Sequence, residues 1–321
     1  MRALFSSGIS FLLLTQTDRA TTVAYYRFDE GTNGMIASGT NTVLDGSGNG
    51  LNATPVASPI YSTNVPPNLV QPDDLSLRFN GSSNWVFIPD YPQLALTKSL
   101  TLEAFIEAEA YPDSTIDEAQ ILFRGDDDIA LDPYFIELRS TNLFFAVTDY
   151  ANQMAAVQVP ITLHQWHHVA GTLDGATGSL RLYLDGNLVA ATNTTVRPYA
   201  LLRGRNPGLG IGNVQSAHYA EYFNGYIDEV RISDAALAPG QFLNAPIFAL
   251  QLGLKRGHTL QLDCNLLAGE VQGLTLLQAS QISGPWTTND TAPLTTNGTG
   301  SFSFQILGSP SASQFYRVQA R

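Results

Sequence analysis

Glu30 and Asp228 are the acidic pair whose placement most directly suggests chemistry. In Val23–Phe28, residues Ala24, Tyr26 and Phe28 share a strand parity that Glu30 continues. In Tyr226–Ile232, Val230 and Ile232 share a parity that Asp228 extends backwards. Both carboxylates are therefore expected to point the way the apolar residues point. If these two strands pair antiparallel, the end of one lies beside the start of the other. Two carboxylates at a core edge repel unless a cation or an arginine stands between them. Calcium takes several hard oxygens and suits the arrangement, with Asp45, Asn49 and turn carbonyls completing the shell. The competing reading has Asp228 capping a turn through backbone N–H groups and Glu30 in solvent.

Other reactive groups are weighed against the geometry they need. Glycosidic hydrolysis uses two carboxyls about 5–5.5 Å apart (retaining) or about 6.5–9.5 Å apart (inverting). Glu103 and Glu107 share a parity on Leu100–Ile106, yet four residues along a strand span about 13 Å. Glu103, Phe105 and Glu107 are expected to form an outward, solvent-side stripe. His167 and His168 are consecutive strand residues on opposite faces and cannot share one metal ion. Asp126, Asp127 and Asp128 with Asp132 read as a solvated acidic loop; the alternative is a second calcium or ligand-contacting loop. The glycines from Gly204 to Gly212 precede no helix that could offer its N-terminus to a phosphate, so they read as a glycine-rich strand. No nucleophile elbow supports a Ser-His-Asp triad. Cys264 is the single cysteine, which excludes an intrachain disulfide and a cysteine-based zinc site, and it reads as a small buried hydrophobe. No catalytic or cofactor-binding residue is assigned.

The elements that must position these groups are strands. Short alternating runs recur at Val23–Phe28, Ser76–Phe79, Trp85–Ile88, Leu100–Ile106, Tyr134–Leu138, Leu143–Thr148, Trp166–Leu173, Ser179–Leu184, Leu188–Thr192, Gly208–Gly212 and Tyr226–Ile232. Asp45-Gly-Ser-Gly-Asn-Gly50, Asn80-Gly81, Asp174-Gly175 and Asp185-Gly186 punctuate them with residues that accept positive φ. The best helical stretch, Asp234–Phe242, is held to a turn or two by Pro239 and Gly240. Short strands without interleaved helices make an all-β protein, a two-sheet antiparallel jelly roll or sandwich.

The 321 residues suffice for one large domain and a small one. A boundary is expected near Asn244–Pro246, giving domains 21–245 and 246–321. The second is read as a small all-β, sandwich-like module with its own aromatics, Trp286, Phe302, Phe304, Phe315 and Tyr316. Only 14% of residues are charged, and the net charge of -12 leaves no basic surface for nucleic acid or an anionic bilayer. Residues 1–20 have the order of a signal peptide, Arg2 before the apolar run Ala3–Leu14, diluted by Ser6, Ser7, Gly8 and Ser10. That run is too short to span a bilayer, and no later stretch is longer, so no membrane insertion is expected.

Seven segments, in order, carry a resemblance. They are Tyr26-Arg-Phe-Asp-Glu-Gly31, Asp45-Gly-Ser-Gly-Asn-Gly50, Leu77-Arg-Phe-Asn-Gly81 and Leu100-Thr-Leu-Glu-Ala-Phe105. Gln165-Trp-His-His-Val-Ala-Gly-Thr172, Leu180-Arg-Leu-Tyr-Leu-Asp-Gly186 and Gly225-Tyr-Ile-Asp-Glu-Val-Arg-Ile232 complete the set. Together, over about residues 21–245, they resemble the laminin-G-like (concanavalin A-like lectin/glucanase) jelly rolls of bacterial secreted proteins. The resemblance implies two stacked antiparallel sheets, pairing of the first and last strands, and often a structural calcium ion. The glucanase signature Glu-x-Asp-x-x-Glu of that fold is absent. The expectation is a secreted or cell-surface, non-catalytic lectin-like protein that binds a polysaccharide or cell-surface glycan. The alternative is a structural or adhesive module with a protein partner; a glycoside hydrolase of the same fold comes third.

Overall fold

The computed structural model describes residues 22–67, 69, 74–127, 132–201, 205–245, 247–255, 259–268, 273–281, 284–298, 300–307 and 315–320. The signal-peptide reading of residues 1–20 and Asp128 lie outside them. Contacts divide the chain into a larger unit, Ala20–Leu243, and a smaller one containing Asn244–Arg321.

In the larger unit the strands are β1 (Thr22–Tyr26), β2 (Thr54–Val56), β3 (Ile60–Ser62), β4 (Ser76–Asn80) and β5 (Trp85–Pro89). Then come β6 (Leu100–Ala108), β7 (Glu118–Gly125), β8 (Tyr134–Arg139), β9 (Asn142–Thr148) and β10 (Met154–Pro160). The last five are β11 (Trp166–Leu173), β12 (Ser179–Leu184), β13 (Asn187–Asn193), β14 (Gly208–Ile211) and β15 (Asn224–Ser233). One sheet runs β13-β12-β11-β6-β15-β4-β3 with β1 also on β15; the other runs β10-β9-β8-β7-β14-β5-β2. All pairs are antiparallel, as a jelly roll requires.

Alternation builds the core. Leu102, Ala104 and Ile106 from β6 and Leu122, Ile136, Phe145 and Val147 from the facing sheet lie in one buried cluster with Tyr26, Phe28, Val230 and Ile232. The hairpin turns form at the expected residues: Asp185 and Gly186 have φ of 51° and 76°, and Gly81 has φ of 69°. Asp234–Phe242 makes a single 3-10 turn at Pro239–Gln241, within the turn or two expected. Two readings needed correction. β2, β3, β7 and β10 were not foreseen. The outer face of β6 is covered, because the segment after β15 folds over it and packs Leu237 and Phe242 against Ala170 and Tyr183.

The smaller unit comprises β16 (Ile247–Lys255), β17 (Thr259–Ala268), β18 (Leu274–Ala279), β19 (Thr287–Thr288), β20 (Leu294–Gly298), β21 (Ser301–Leu307) and β22 (Phe315–Ala320). They form sheets of order β16-β17-β21-β20 and β19-β18-β22 around Leu260, Leu262, Cys264, Leu276, Phe304 and Ile306. Cys264 is fully buried there, and burial pushes its thiol up to about 11, so it serves as a core hydrophobe.

Candidate functional site

The β1–β15 junction forms with Tyr26 opposite Val230 and Ala24 opposite Ile232. The face assignment of Asp228, however, does not survive. The β15–β6 register shifts between Asp228 and Arg231, and Glu229 sits at φ 49°, a β-bulge that resets the alternation. Asp228 is opposite Phe105 and Ile227 opposite Ile106, so Ile227 faces the core and Asp228 the outer side, where it is nevertheless wholly buried. Asp228 Oδ1 accepts the Glu229 N–H at 2.8 Å.

Phe28 at φ 59° ends the alternation of β1 as well, and Glu30 accepts the Leu44 N–H at 2.8 Å and the Tyr61 hydroxyl at 3.3 Å. Asp45 accepts N–H groups of Tyr25, Ser47 and Leu51 at 2.9–3.0 Å, and the Asn49 amide donates to the Thr22 and Val23 carbonyls. The Tyr25 hydroxyl donates to Glu229, so Asp45 and Glu229 meet one tyrosine from two sides. Among the described residues, Glu30, Asp45 and Asp228 are not a group of carboxylates converging within 4.8 Å.

Glu103 is buried, which corrects the solvent-side stripe. It accepts from Arg231 Nε at 2.6 Å, pairs with His168 Nε2 at 3.0 Å and accepts the Leu243 N–H at 2.9 Å. Burial pushes its carboxyl up, but the His168 hydrogen bond and the Arg231 charge outweigh it and hold the group below its usual range. His167 turns the other way, to Asp185 at 2.9 Å and Thr162 at 2.8 Å.

Two polar clusters lie on the seven-stranded sheet; the sequence marks the acids of the first, read as a solvated loop with a calcium or ligand-contacting loop as the alternative, and misses the second. The first lies where β7 and β9 end and β8 begins. Asp127 accepts from Ser216, Gln215 and Asn206 at 2.6, 2.9 and 3.2 Å, and Asp126 is buried, so this is not a solvated loop. Gly125 leaves the space for Asp132, whose Oδ1 lies 2.2 Å from where a Cβ would stand. Burial, then the charges of Asp126, Glu221 and Glu118, push the Asp132 carboxyl up to about 8. Asp132, Asp126 and Arg124 all act electrostatically on Tyr199, whose hydroxyl is also pushed up, chiefly by burial. Arg124 pairs with Asp90. Arg124 Nη1, Asp132 Oδ1, Thr148 Oγ1, Tyr199 OH and Gln215 Oε1 are buried atoms with no hydrogen-bond partner among the described residues. Beside them Tyr150 is 79% exposed and stands edge-on to Tyr199, ring centroids 5.8 Å apart.

The second cluster is Glu118, Glu137 and Glu221, with one oxygen from each within 4.8 Å of the others. Glu137 is wholly buried, and burial pushes its carboxyl up to about 8 against the opposing charge of Arg139. Phe123, Phe135 and Phe144 pave the same face, with Arg139 4.1 Å over the Phe144 ring. The parity of Phe135 and Glu137 within Tyr134–Leu138 was a usable signal for this face; nothing in the chain announced Glu118 or Glu221.

Residues 80–241 match the family model described as the concanavalin A-like lectin/glucanases superfamily. A comparison with curated proteins gives no match. Among solved structures, one similar chain is domain 4 of AbnA, a GH43 extracellular arabinanase from Geobacillus stearothermophilus, in complex with arabinotriose. It is 19% identical with a TM-score of 0.50, over 70% of this chain and 97% of that one. The binding domain of Paraclostridial Mosquitocidal Protein 1 is 14% identical with a TM-score of 0.50, over 84% of this chain and 62% of that one. At these identities the likeness is one of fold.

Proposed function

This chain belongs to the concanavalin A-like lectin/glucanase superfamily, and on that premise we propose that its larger unit is a non-catalytic, extracellular carbohydrate-binding module. The rim at Asp132 carries the reading. Its buried donors and acceptors without hydrogen-bond partners among the described residues are Arg124 Nη1, Asp132 Oδ1, Thr148 Oγ1 and Tyr199 OH. Leaving such a group unsatisfied costs about 1–3 kcal/mol, which a hydroxyl-rich ligand is suited to offset because each sugar hydroxyl both donates and accepts. The exposed Tyr150 ring beside them offers the apolar face on which a pyranose or furanose stacks. The arabinanase domain of the same fold was solved with a bound oligosaccharide, which supports the ligand class by analogy.

A glycan array probed with the full chain tests this, followed by titration of the strongest hit. Tyr150→Ala should weaken that binding by about tenfold with an unchanged melting temperature, because the ring is 79% exposed. A chain that binds no glycan, or binds one indifferently to Tyr150→Ala and Asp132→Ala, points instead to the adhesive, protein-binding alternative.

The reading includes a structural calcium ion at the β1–β15 junction with ligands drawn from Glu30, Asp45, Asn49 and Asp228; the three carboxylates do not converge within 4.8 Å here, so the ion has to draw them in. In its support, Asp228 is a wholly buried carboxylate and Tyr25 joins the Asp45 loop to the neighbouring Glu229. An ion bound only by the folded state at a hundred times its dissociation constant adds about 2.7 kcal/mol. Melting should therefore rise with calcium in the wild type and not in Asp228→Ala; equal wild-type curves with calcium and with chelator would eliminate it.

One observation favours hydrolysis, the closeness of the Glu118, Glu137 and Glu221 oxygens. Against it, the Gln120 amide stands between Glu137 and Glu221 and donates to both. Release of reducing ends from a polysaccharide, abolished by Glu118→Gln, would establish the enzyme.

A further inference from the structure

We propose that Glu118, Glu137, Glu221 and the amide oxygen of Gln120 form a divalent-cation site of calcium type on the outer face of the seven-stranded sheet, separate from the β1–β15 junction. The fold builds it from two strands and a loop. β7 and β8 pair with Gln120 opposite Glu137 and Glu118 opposite Arg139, which brings these side chains to one face. Glu221 is fixed from both sides of its peptide: its carbonyl accepts the Gln120 N–H at 2.9 Å, and its N–H donates to Asn213 Oδ1 at 2.9 Å. One oxygen from each carboxylate then falls within 4.8 Å of the others, inside the span that two ligands of one calcium ion reach at 2.3–2.6 Å each.

Gln120 supplies an independent sign of a ligand. Its side chain is 1% exposed and enters the cluster, where Nε2 donates to Glu137 and, at 2.7 Å, to Glu221. Its Oε1 is buried with no hydrogen-bond partner among the described residues. The two ends of an amide are about 2.2 Å apart, so Oε1 is no more than about 5 Å from the carboxylate oxygens its own nitrogen touches. Turning the amide over exchanges its two ends and sets Oε1 against Glu137 and Glu221, where a carbonyl oxygen is a hard, neutral donor that a calcium ion takes readily.

Charge and donor type select the ion. Arg139 pairs with Glu118 at 2.6 Å and with Glu137 at 2.7 Å, and offsets one of three negative charges. Carboxyls bind a cation in their deprotonated form, and with all three ionised the residual charge of minus two matches a divalent cation. The donors are all oxygen, which disfavours zinc, and the unequal burial leaves an irregular shell that suits calcium better than octahedral magnesium. Glu118 and Glu221 are only half-buried, so ion and water reach the site from solvent.

The test is calorimetric titration of calcium into the full chain after stripping with chelator, comparing wild type with Glu221→Gln, Glu137→Gln and Asp228→Ala. The wild type should take up one equivalent that Glu221→Gln loses or binds about a hundredfold more weakly. Asp228→Ala should keep that equivalent, which separates this site from one at the β1–β15 junction. Glu221 lies on a loop at the surface, so its variant decides the matter even if Glu137→Gln fails to fold. Calcium uptake by Glu221→Gln equal in stoichiometry and affinity to the wild type, or no uptake by the wild type, overturns the site.

Discussion

Replacing Glu103 with alanine should cost the larger unit about 3–5 kcal/mol, the range found when one partner of a buried ion pair is removed. Glu103 has no exposed side-chain surface, and it holds Arg231, His168 and the Leu243 N–H together. Its loss leaves His168 buried, with its ring against Phe105 and Phe242 and no carboxylate beside it. It also releases the segment after β15, which is otherwise tied to β6 by Thr101, whose hydroxyl donates to the Ala235 carbonyl at 2.6 Å and accepts the Leu237 N–H at 2.9 Å. Glu103→Gln keeps the shape and part of the hydrogen bonding and should cost less. The depressed carboxyl fixes the pH dependence: its contribution is present above the unfolded-state value and disappears as pH falls through the lower folded-state one. Calorimetry of the larger unit's transition at neutral pH checks the first point. A loss below about 1 kcal/mol, the range of an exposed pair, would mean the ion triad is not holding the covering segment down.

That triad marks where the sequence stops being readable. The strand of Glu103 was legible from the alternation in Leu100–Ile106. The burial of its outward face was not, because the cover is an irregular segment whose Leu237 and Phe242 show no periodicity. The same holds at the β1–β15 junction. The family resemblance implied the antiparallel pairing, and period-2 reasoning found both strands and the aligned apolar residues. It failed at Asp228 because a single bulged residue, Glu229, reverses every assignment on one side of it, and no residue type announces the bulge. β7 escaped because Gln120 and Arg124 are polar residues buried within an otherwise apolar run, which destroys the alternation signal. The acidic trio needed residues 118, 137 and 221 to be neighbours, a fact of sheet order and loop path rather than of local pattern. Composition works by exclusion: a single cysteine rules out an intrachain disulfide and a cysteine-based zinc site before any element is placed.

Raising the pH from 5 to 9 should destabilise the wild-type larger unit, and Asp132→Asn should remove a large part of that slope. Asp132 is pushed up first by burial and then by the charges of Asp126, Glu221 and Glu118, to about 8. A carboxyl raised in the folded state binds its proton more tightly there than in the unfolded chain. Its stabilising contribution is complete below the unfolded value near 3.8 and is lost as pH climbs through about 8. Each unit of difference is worth about 1.4 kcal/mol, so the loss across the window is on the order of 3–5 kcal/mol. Asparagine keeps the size and cannot ionise, which isolates the titration from the packing against Gly125. Glu137, raised to about 8 by burial, adds a slope of the same sign, so the variant should be flatter rather than flat. Chelator in every sample keeps bound cations from masking either group, and the window starts above the range in which Glu103 titrates. The measurement is the midpoint of urea unfolding of wild type and Asp132→Asn at half-unit pH steps. Parallel curves from pH 5 to 9 would mean that Asp132 is already ionised in the folded protein at neutral pH. The rim would then carry a carboxylate that only accepts hydrogen bonds, rather than a carboxyl that also donates one below about pH 8.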